Sequence, residues 1–137
     1  MQRKHITIKI SDFDVSSELS KLLLKELPEE KNNSPWRLAV LNFRDSSYSP
    51  QTGGYHPVEI AVTDKGVINY ITDFSYRGTA GYEELAKEID FDFSCGEFQM
   101  FGKVMPITEG KELFPTWQKN FCTYYKWGVF NITKEVM

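Results

Sequence analysis

Alternating apolar residues predict most of the strands in this chain. Residues 36–45 are apolar on both faces, so this strand is expected to lie between two others in a sheet. Asp64-Lys65-Gly66 suits a three-residue hairpin loop that joins the strand before it to an antiparallel strand after it. The predicted strands are residues 6–10, 36–45, 57–63, 67–72, 98–101 and 129–132.

Apolar residues at helical spacing predict two main helices. The first follows Asp14, which can cap it, and ends at Pro28. The second surrounds Trp117 in the C-terminal third of the chain and ends at Gly128. Residues 82–88, with the sequence YEELAKE, predict a further short helix.

These elements place the chain in the α+β class. The 137 residues are 41% hydrophobic and 26% charged, which suits one globular domain with a core of its own. We therefore predict a single domain over residues 1–137. It should contain an antiparallel sheet of about four to six strands, with two main helices packed against one face.

Charge, hydropathy and cysteine content argue against several classes of protein. The net charge is −3 and the 16 basic residues are dispersed, so we do not expect nucleic acid as a partner. No apolar run reaches the roughly 20 residues of a membrane span. Cys95 and Cys122 show neither disulfide nor metal spacing, which favours free thiols and a cytoplasmic location. We expect no cofactor and no metal.

Several segments together resemble a known bacterial family. They read WRLAVLNFRDSSYSPQTGGYHPVEI from residue 36, ITDFSYRG from 71, ELAKEIDFDFS from 84 and WQKNFCTYY from 117. This combination resembles the uncharacterised family called domain of unknown function 2787, over nearly the whole chain. The resemblance implies a bacterial, cytoplasmic protein with a stand-alone domain. It implies no activity, cofactor or catalytic residue.

The loop with the sequence GGYHPVE is the first candidate site. If the strands on either side are neighbours, His56 can approach Asp45 or Arg44 at a common rim, with Tyr55 and Glu59 nearby. A histidine beside a carboxylate can act as a general base. The structural alternative is that Tyr55 and His56 only anchor a long loop.

Two other polar groups have weaker patterns. Asp73, Tyr76 and Arg77, near Gly78 and the start of the predicted short helix, suit an anion, but a helix cap and a surface ion pair explain them better. Asp90 and Asp92 share one face of a strand, as pairs that bind hard cations do, although we favour two solvated acids there.

The aromatic C-terminal helix is the second candidate site. Trp117 and Phe121 suit the core, whereas Tyr124, Tyr125 and Trp127 cannot all face inward from one helix. Exposed rings are enriched in protein interfaces. We therefore assign Tyr125 and Trp127 as candidate partner-binding residues.

The sequence favours a binding or accessory protein that is not an enzyme and that engages another protein through exposed aromatic residues. One alternative is a small enzyme or small-molecule-binding domain with its site at the GGYHP loop rim. Another is single-stranded nucleic-acid binding by aromatic stacking. No combination of residues here assigns a catalytic role.

Overall fold

A computed structural model of the chain describes residues 6–29 and 35–137 and shows an α+β fold. The helices are α1 (Ser17–Glu26) and α2 (Leu113–Lys126). The strands are β1 (Leu38–Arg44), β2 (Val58–Thr63), β3 (Ile68–Arg77), β4 (Glu84–Asp92), β5 (Glu97–Met100), β6 (Lys103–Pro106) and β7 (Asn131–Val136). The antiparallel sheet thus has seven strands, which corrects the prediction of four to six.

Strands β1 to β6 form an antiparallel meander, and a long connection through α2 leads to the last strand, β7. The strand order of the sheet is β6-β5-β4-β3-β2-β1-β7, so β1 to β6 follow one another and β7 comes back beside β1. Phe43 in β1 pairs with Val58 on one side and with Ile132 on the other, which confirms the prediction that this strand lies between two others. The hairpin around Asp64-Lys65-Gly66 is confirmed as well.

Both helices contribute to one core with the same face of the sheet. The ring of Phe43 contacts the ring of Phe121 edge to face, with 5.0 Å between the ring centres. The residues of this core include Leu19, Leu23, Leu41, Phe43, Ile60, Ile71, Phe91, Phe114 and Phe121. Burial of these side chains fixes α2 above the centre of the sheet and so determines where its polar residues lie.

Residues 6–10 do not form the predicted strand. They make a single parallel bridge, in which Lys9 pairs with Val67. The alternation of isoleucines still predicts which side chains are buried, because Ile8 and Ile10 are both in the core. Gly66 lets this segment approach closely, since a Cβ there would lie 2.2 Å from the carbonyl oxygen of Thr7.

Residues 82–88 belong to a strand, so the prediction of a short helix there is wrong. Most of the segment lies in β4, which pairs with β3 from Arg77–Glu84 to Tyr70–Asp92. Helix propensity is weak over seven residues, and a continuous ladder of hydrogen bonds to a neighbouring strand outweighs it.

The helix ends follow local capping chemistry. Ser16 rather than Asp14 caps α1, because its hydroxyl accepts a hydrogen bond from the backbone N–H of Leu19 at 3.1 Å. Helix α2 ends as predicted just before Gly128, which has a φ of 73°. Within residues 6–29 and 35–137, no helix is long and apolar enough to cross a membrane.

Candidate functional site

The loop between β1 and β2 is closed by one carboxylate at its base. Asp45 accepts hydrogen bonds from the hydroxyl and backbone N–H of Ser47, at 2.6 and 2.9 Å, and from the backbone N–H of Tyr55 at 3.0 Å. These bonds, that of the Ser47 hydroxyl first, lower the pKa of Asp45. Asp45 therefore holds the loop and sets the position of the residue that follows Tyr55.

That following residue, His56, pairs with a carboxylate on the neighbouring strand β3. The distance between His56 Nδ1 and Asp73 Oδ1 is 2.8 Å. Since an ionised carboxylate only accepts, the Nδ1–H of the imidazole donates this bond. The bond raises the pKa of His56 above its ordinary value, and the charges of Asp73 and Glu88 act in the same direction against partial burial.

Helix α2 supplies a second donor to the same carboxylate. The indole Nε1–H of Trp117 donates to Asp73 Oδ2 at 2.9 Å. Each oxygen of Asp73 thus accepts one hydrogen bond, and the side chain is only 13% exposed. Two donors from different elements hold Asp73 in place as an oriented acceptor for His56.

A bulge brings a second acid to this group. The register between β3 and β4 shifts between Asp73 and Phe74, and Glu88 is skipped in the ladder. An extra residue of this kind redirects its side chain. The carboxylate of Glu88 lies 3.7 Å from Nδ1 of His56. His56, Asp73 and Glu88 form the cluster that we call the polar triad.

The polar triad adjoins a cleft of about 390 Å³ between the β1–β2 loop and α2. His56 and Asp73 line it, with Thr116 and Asn120 as further polar residues. Its aromatic walls are formed by Tyr55, Trp117, Phe121, Tyr124 and Phe130. A mostly apolar cleft of this size with a few polar groups is typical of a small-molecule site.

The two surfaces predicted from the sequence meet at the mouth of this cleft. The ring of Tyr55, from the loop, lies 4.7 Å from the ring of Tyr124 on α2, measured between centres. Tyr124 in turn lies 5.9 Å from the ring of Trp127, whose side chain is 64% exposed. The loop and the end of the aromatic helix therefore form one continuous rim.

Three other predicted site residues lie away from the cleft lining. Arg44 is exposed at the end of β1. Asp45 is occupied with the loop backbone, so neither it nor Arg44 is the partner of His56. Glu59 lies on the opposite face of the sheet, where it accepts a hydrogen bond from the hydroxyl of Tyr70.

Tyr125 is half-buried and has partners of its own. Its hydroxyl donates to a carboxylate oxygen of Glu26 on α1, and its ring packs against Phe43. Burial, together with the hydrogen bond to Glu26, raises the pKa of Tyr125 to about 12. These contacts join the two helices, whereas Trp127 presents its ring to solvent.

The other candidate groups serve local structure. Asp90 is buried and bonded to the hydroxyl of Thr72 at 2.8 Å and to Lys87 at 3.4 Å, so the expectation of a solvated acid there is wrong. Asp92 accepts from the hydroxyl of Ser94 at 2.7 Å. Cys122 is buried, and burial raises its thiol pKa to about 11, which suits an inert side chain.

Sequence reasoning did not connect His56 with its actual partners. Asp73 follows Ile71 at strand spacing, and an acid on the inward face of a strand was an available signal. Helical spacing places Trp117 in the core, and a buried indole there also needs a hydrogen-bond acceptor. Glu88 gave no such signal, because a bulge is not visible in the alternation of a charged segment.

Comparison with known families agrees with this fold. The family described as "Protein of unknown function (DUF2787)" matches residues 17–135. The chain belongs to this family. The resemblance found in the sequence is thereby confirmed, and the matched residues include the β1–β2 loop, the polar triad and α2. No curated protein matches the chain.

Two solved structures that are similar to this chain in sequence and fold come from Vibrio cholerae. The hypothetical protein VC0508 of the VSP-II pathogenicity island is 35% identical, with a TM-score of 0.84 over 97% of this chain and 100% of that one. The conserved hypothetical protein VC1805 of pathogenicity island VPI-2 is 36% identical, with a TM-score of 0.78 over 93% and 99% of the two chains. The latter is described as sharing structural homology with the human P32 protein.

Proposed function

We propose that this protein is a small-molecule-binding domain whose ligand occupies the cleft beside His56. The ligand has an aromatic or otherwise apolar body and one oxygen-bearing polar group, a hydroxyl or a carboxylate. The observation that carries the proposal is the His56–Asp73 pair, which places an oriented imidazole in the wall of an otherwise apolar cleft.

The geometry leaves one nitrogen of His56 available to a ligand. Asp73 engages Nδ1, and no partner in residues 6–29 and 35–137 engages Nε2. The side chain is 35% exposed. In the neutral ring Nε2 accepts a hydrogen bond, and in the protonated ring it donates one. A ligand hydroxyl suits both states, and a carboxylate suits the protonated state.

The cleft walls select the rest of the ligand. Trp117 and Phe121 stack with 5.0 Å between their ring centres, and Tyr124 faces Tyr55 at the mouth. Planar or apolar groups gain most from such walls, because aromatic surface is removed from water on both sides. This is the loop-rim alternative of the sequence analysis, with its site moved from Asp45 and Arg44 to Asp73.

The test uses 5-fluorotryptophan and fluorine NMR. The chain has three tryptophans, and their signals can be assigned by single substitutions. Trp117 reports on the cleft, Trp127 on the exposed rim, and the buried Trp36, whose indole donates to the carbonyl of Pro28 at 3.2 Å, is an internal control. The library consists of phenols, aromatic acids and aliphatic alcohols, screened with EDTA present.

The proposal expects compounds that shift the Trp117 signal in a saturable manner and leave the Trp36 signal unchanged. His56→Asn should weaken these compounds about tenfold, the equivalent of one hydrogen bond. This variant keeps an amide N–H near the position of Nδ1 and removes Nε2. A library that never shifts Trp117, or binding that is indifferent to His56→Asn, would contradict the proposal.

Protein binding through exposed aromatic residues is the second candidate function. It is favoured by Trp127, which is 64% exposed and packs against Tyr124 at the rim. A pull-down from host lysate, with nuclease added, should recover a stoichiometric protein with the wild type and lose it with Trp127→Ala. Equal recovery with both proteins argues against this surface.

A further inference from the structure

The polar triad brings three metal-binding atoms together from three separate elements. His56 precedes β2, Asp73 lies in β3, and Glu88 is the bulged residue of β4. Nδ1 of His56 lies 2.8 Å from an oxygen of Asp73 and 3.7 Å from an oxygen of Glu88, and each of the three residues offers a ligand atom within 4.8 Å of the other two. Metal ligands at bond lengths of about 2.1 Å are separated by roughly 3 to 3.5 Å, so small side-chain movements suffice to enclose an ion.

The charge of this cluster favours a cation. Two carboxylates face one imidazole, which leaves a charge of −1 when His56 is protonated and −2 when it is neutral. No lysine or arginine in the described parts of the chain forms an ion pair with Asp73 or Glu88. A bound proton on His56 therefore compensates only part of the negative charge.

We propose that His56, Asp73 and Glu88 bind one divalent transition-metal ion such as Zn²⁺. An imidazole nitrogen with two carboxylate oxygens suits zinc, manganese or iron, whereas calcium and magnesium prefer oxygen ligands alone. On binding, the ion takes the place of the Nδ1 proton, and Nε2 carries the one proton of the neutral ring. The protonated ring therefore releases one proton to solvent, whereas in the neutral ring the proton moves from Nδ1 to Nε2 by way of solvent. The His56–Asp73 hydrogen bond is thus exchanged for two bonds to the metal.

The surroundings of the triad resemble a supporting shell. Trp117 binds the second oxygen of Asp73 and leaves the first oxygen oriented toward His56. Metal-binding carboxylates are commonly held in this way by a hydrogen bond from outside the ligand set. Three protein ligands leave coordination positions for water, and His56 and Asp73 line the cleft. The inference does not depend on the proposed function, because an ion binds without the organic ligand.

The test is calorimetric titration of Zn²⁺ into tag-free full-length protein that has been stripped with EDTA and dialysed. Wild type should bind one equivalent. Asp73→Asn and Glu88→Gln should each weaken binding at least tenfold, as loss of a ligand does. Glu84→Gln, an exposed acid in the same strand, should bind as the wild type does. If Asp73→Asn does not fold, Glu88→Gln still tests the site.

Substitution of Co²⁺ shows which atoms hold the ion. The chain contains two histidines and two cysteines, so His5→Asn and Cys95→Ser serve as controls that should leave binding unchanged. An absorption band of cobalt bound to thiolate would place the ion at a cysteine and overturn the proposal. Absence of zinc binding at millimolar concentration, or equal binding by Glu88→Gln, would overturn it as well. None of these results affects the fluorine NMR test, which is run in EDTA.

Discussion

Trp117 on α2 and Asp73 on β3 are joined by a hydrogen bond of 2.9 Å between the indole Nε1 and Oδ2. This bond connects the helical layer to the sheet at the same carboxylate that holds His56. A core aromatic residue thereby also orients the polar side of the cleft. The packing of α2 and the chemistry of His56 are consequently coupled, and several measurable effects depend on that coupling.

The first effect concerns the pKa of His56 in metal-free protein. Asp73→Asn removes the largest cause of the raised pKa, so the pKa of His56 should fall from its elevated value. Proton–nitrogen NMR of the imidazole over a pH series measures this directly, and only His5 must be distinguished from it. Glu84→Gln is the matched control, and a fall of equal size in that variant would contradict the role of Asp73.

Trp117→Phe should move the same pKa in the opposite direction. Without the indole N–H, Asp73 keeps His56 as its remaining donor and becomes a stronger acceptor for it. The variant should also lose about 2 to 3 kcal/mol of unfolding free energy, since the bond involves a carboxylate acceptor whose side chain is only 13% exposed. Urea unfolding measures this loss.

Trp127→Phe is the control for that experiment. Its ring is 64% exposed, so its unfolding free energy should stay within about 0.5 kcal/mol of the wild type. Similar losses in both variants would mean that the bond between Trp117 and Asp73 contributes little.

The pH dependence of the unfolding free energy should reflect the titration of His56. Its pKa is raised in the folded protein above the usual 6.5, so protonation favours the folded state. This stabilisation is complete below about pH 6.5 and is lost as the pH rises through the elevated folded pKa. The difference in unfolding free energy between wild type and His56→Asn should therefore favour the wild type more at about pH 5.5 than at about pH 9.

The comparison with His56→Asn isolates one group, because the other titrating residues are shared by both proteins. Metal-free buffer is required throughout. A difference that stays constant from acid to alkaline pH, or that grows with pH, would show that Asp73 does not stabilise the imidazolium.

Gly54 should tolerate substitution less well than Gly53, its neighbour in the β1–β2 loop. Its φ is 133°, and an added Cβ would lie 2.9 Å from Asp45 Oδ2 and 3.0 Å from Tyr48 Cα. Gly53 also has a positive φ, of 69°, but an added Cβ would meet open space. Gly54→Ala should cost about 1 kcal/mol more than Gly53→Ala in thermal or urea unfolding, because only the former adds a clash to backbone strain. Equal losses of unfolding free energy in the two variants would show that a Cβ at position 54 does not clash with Asp45.

Much of the sheet could be predicted because its strands are strongly patterned. Residues 36–45 contain a run that is apolar on both faces, residues 57–63 alternate, and a glycine-containing loop sets the next hairpin. The segment at 82–88 could not be assigned correctly, since its charged residues suit a helix and only pairing with β3 makes it a strand. The four residues of β6 are too few for any periodicity to appear.

The candidate site was predicted only as far as its loop. Tyr55 and His56 stand out in the sequence because a Gly-Gly pair before them permits unusual backbone angles and Pro57 holds His56 extended. The partner of His56 depends on which strand lies beside β2, and both β1 and β3 do. Asp45 was the nearer acid in sequence, but it is engaged by the loop amides, and Asp73 across the other ladder pairs with His56.

The most direct test of the account is the affinity of the best compound from the fluorine NMR screen for three metal-free proteins: wild type, His56→Asn and His5→Asn. We predict that His56→Asn binds about tenfold more weakly, and that His5→Asn binds as the wild type does, with the Trp117 signal reporting in each case. Equal affinity in all three proteins would show that the cleft does not use His56, and would contradict the proposed function.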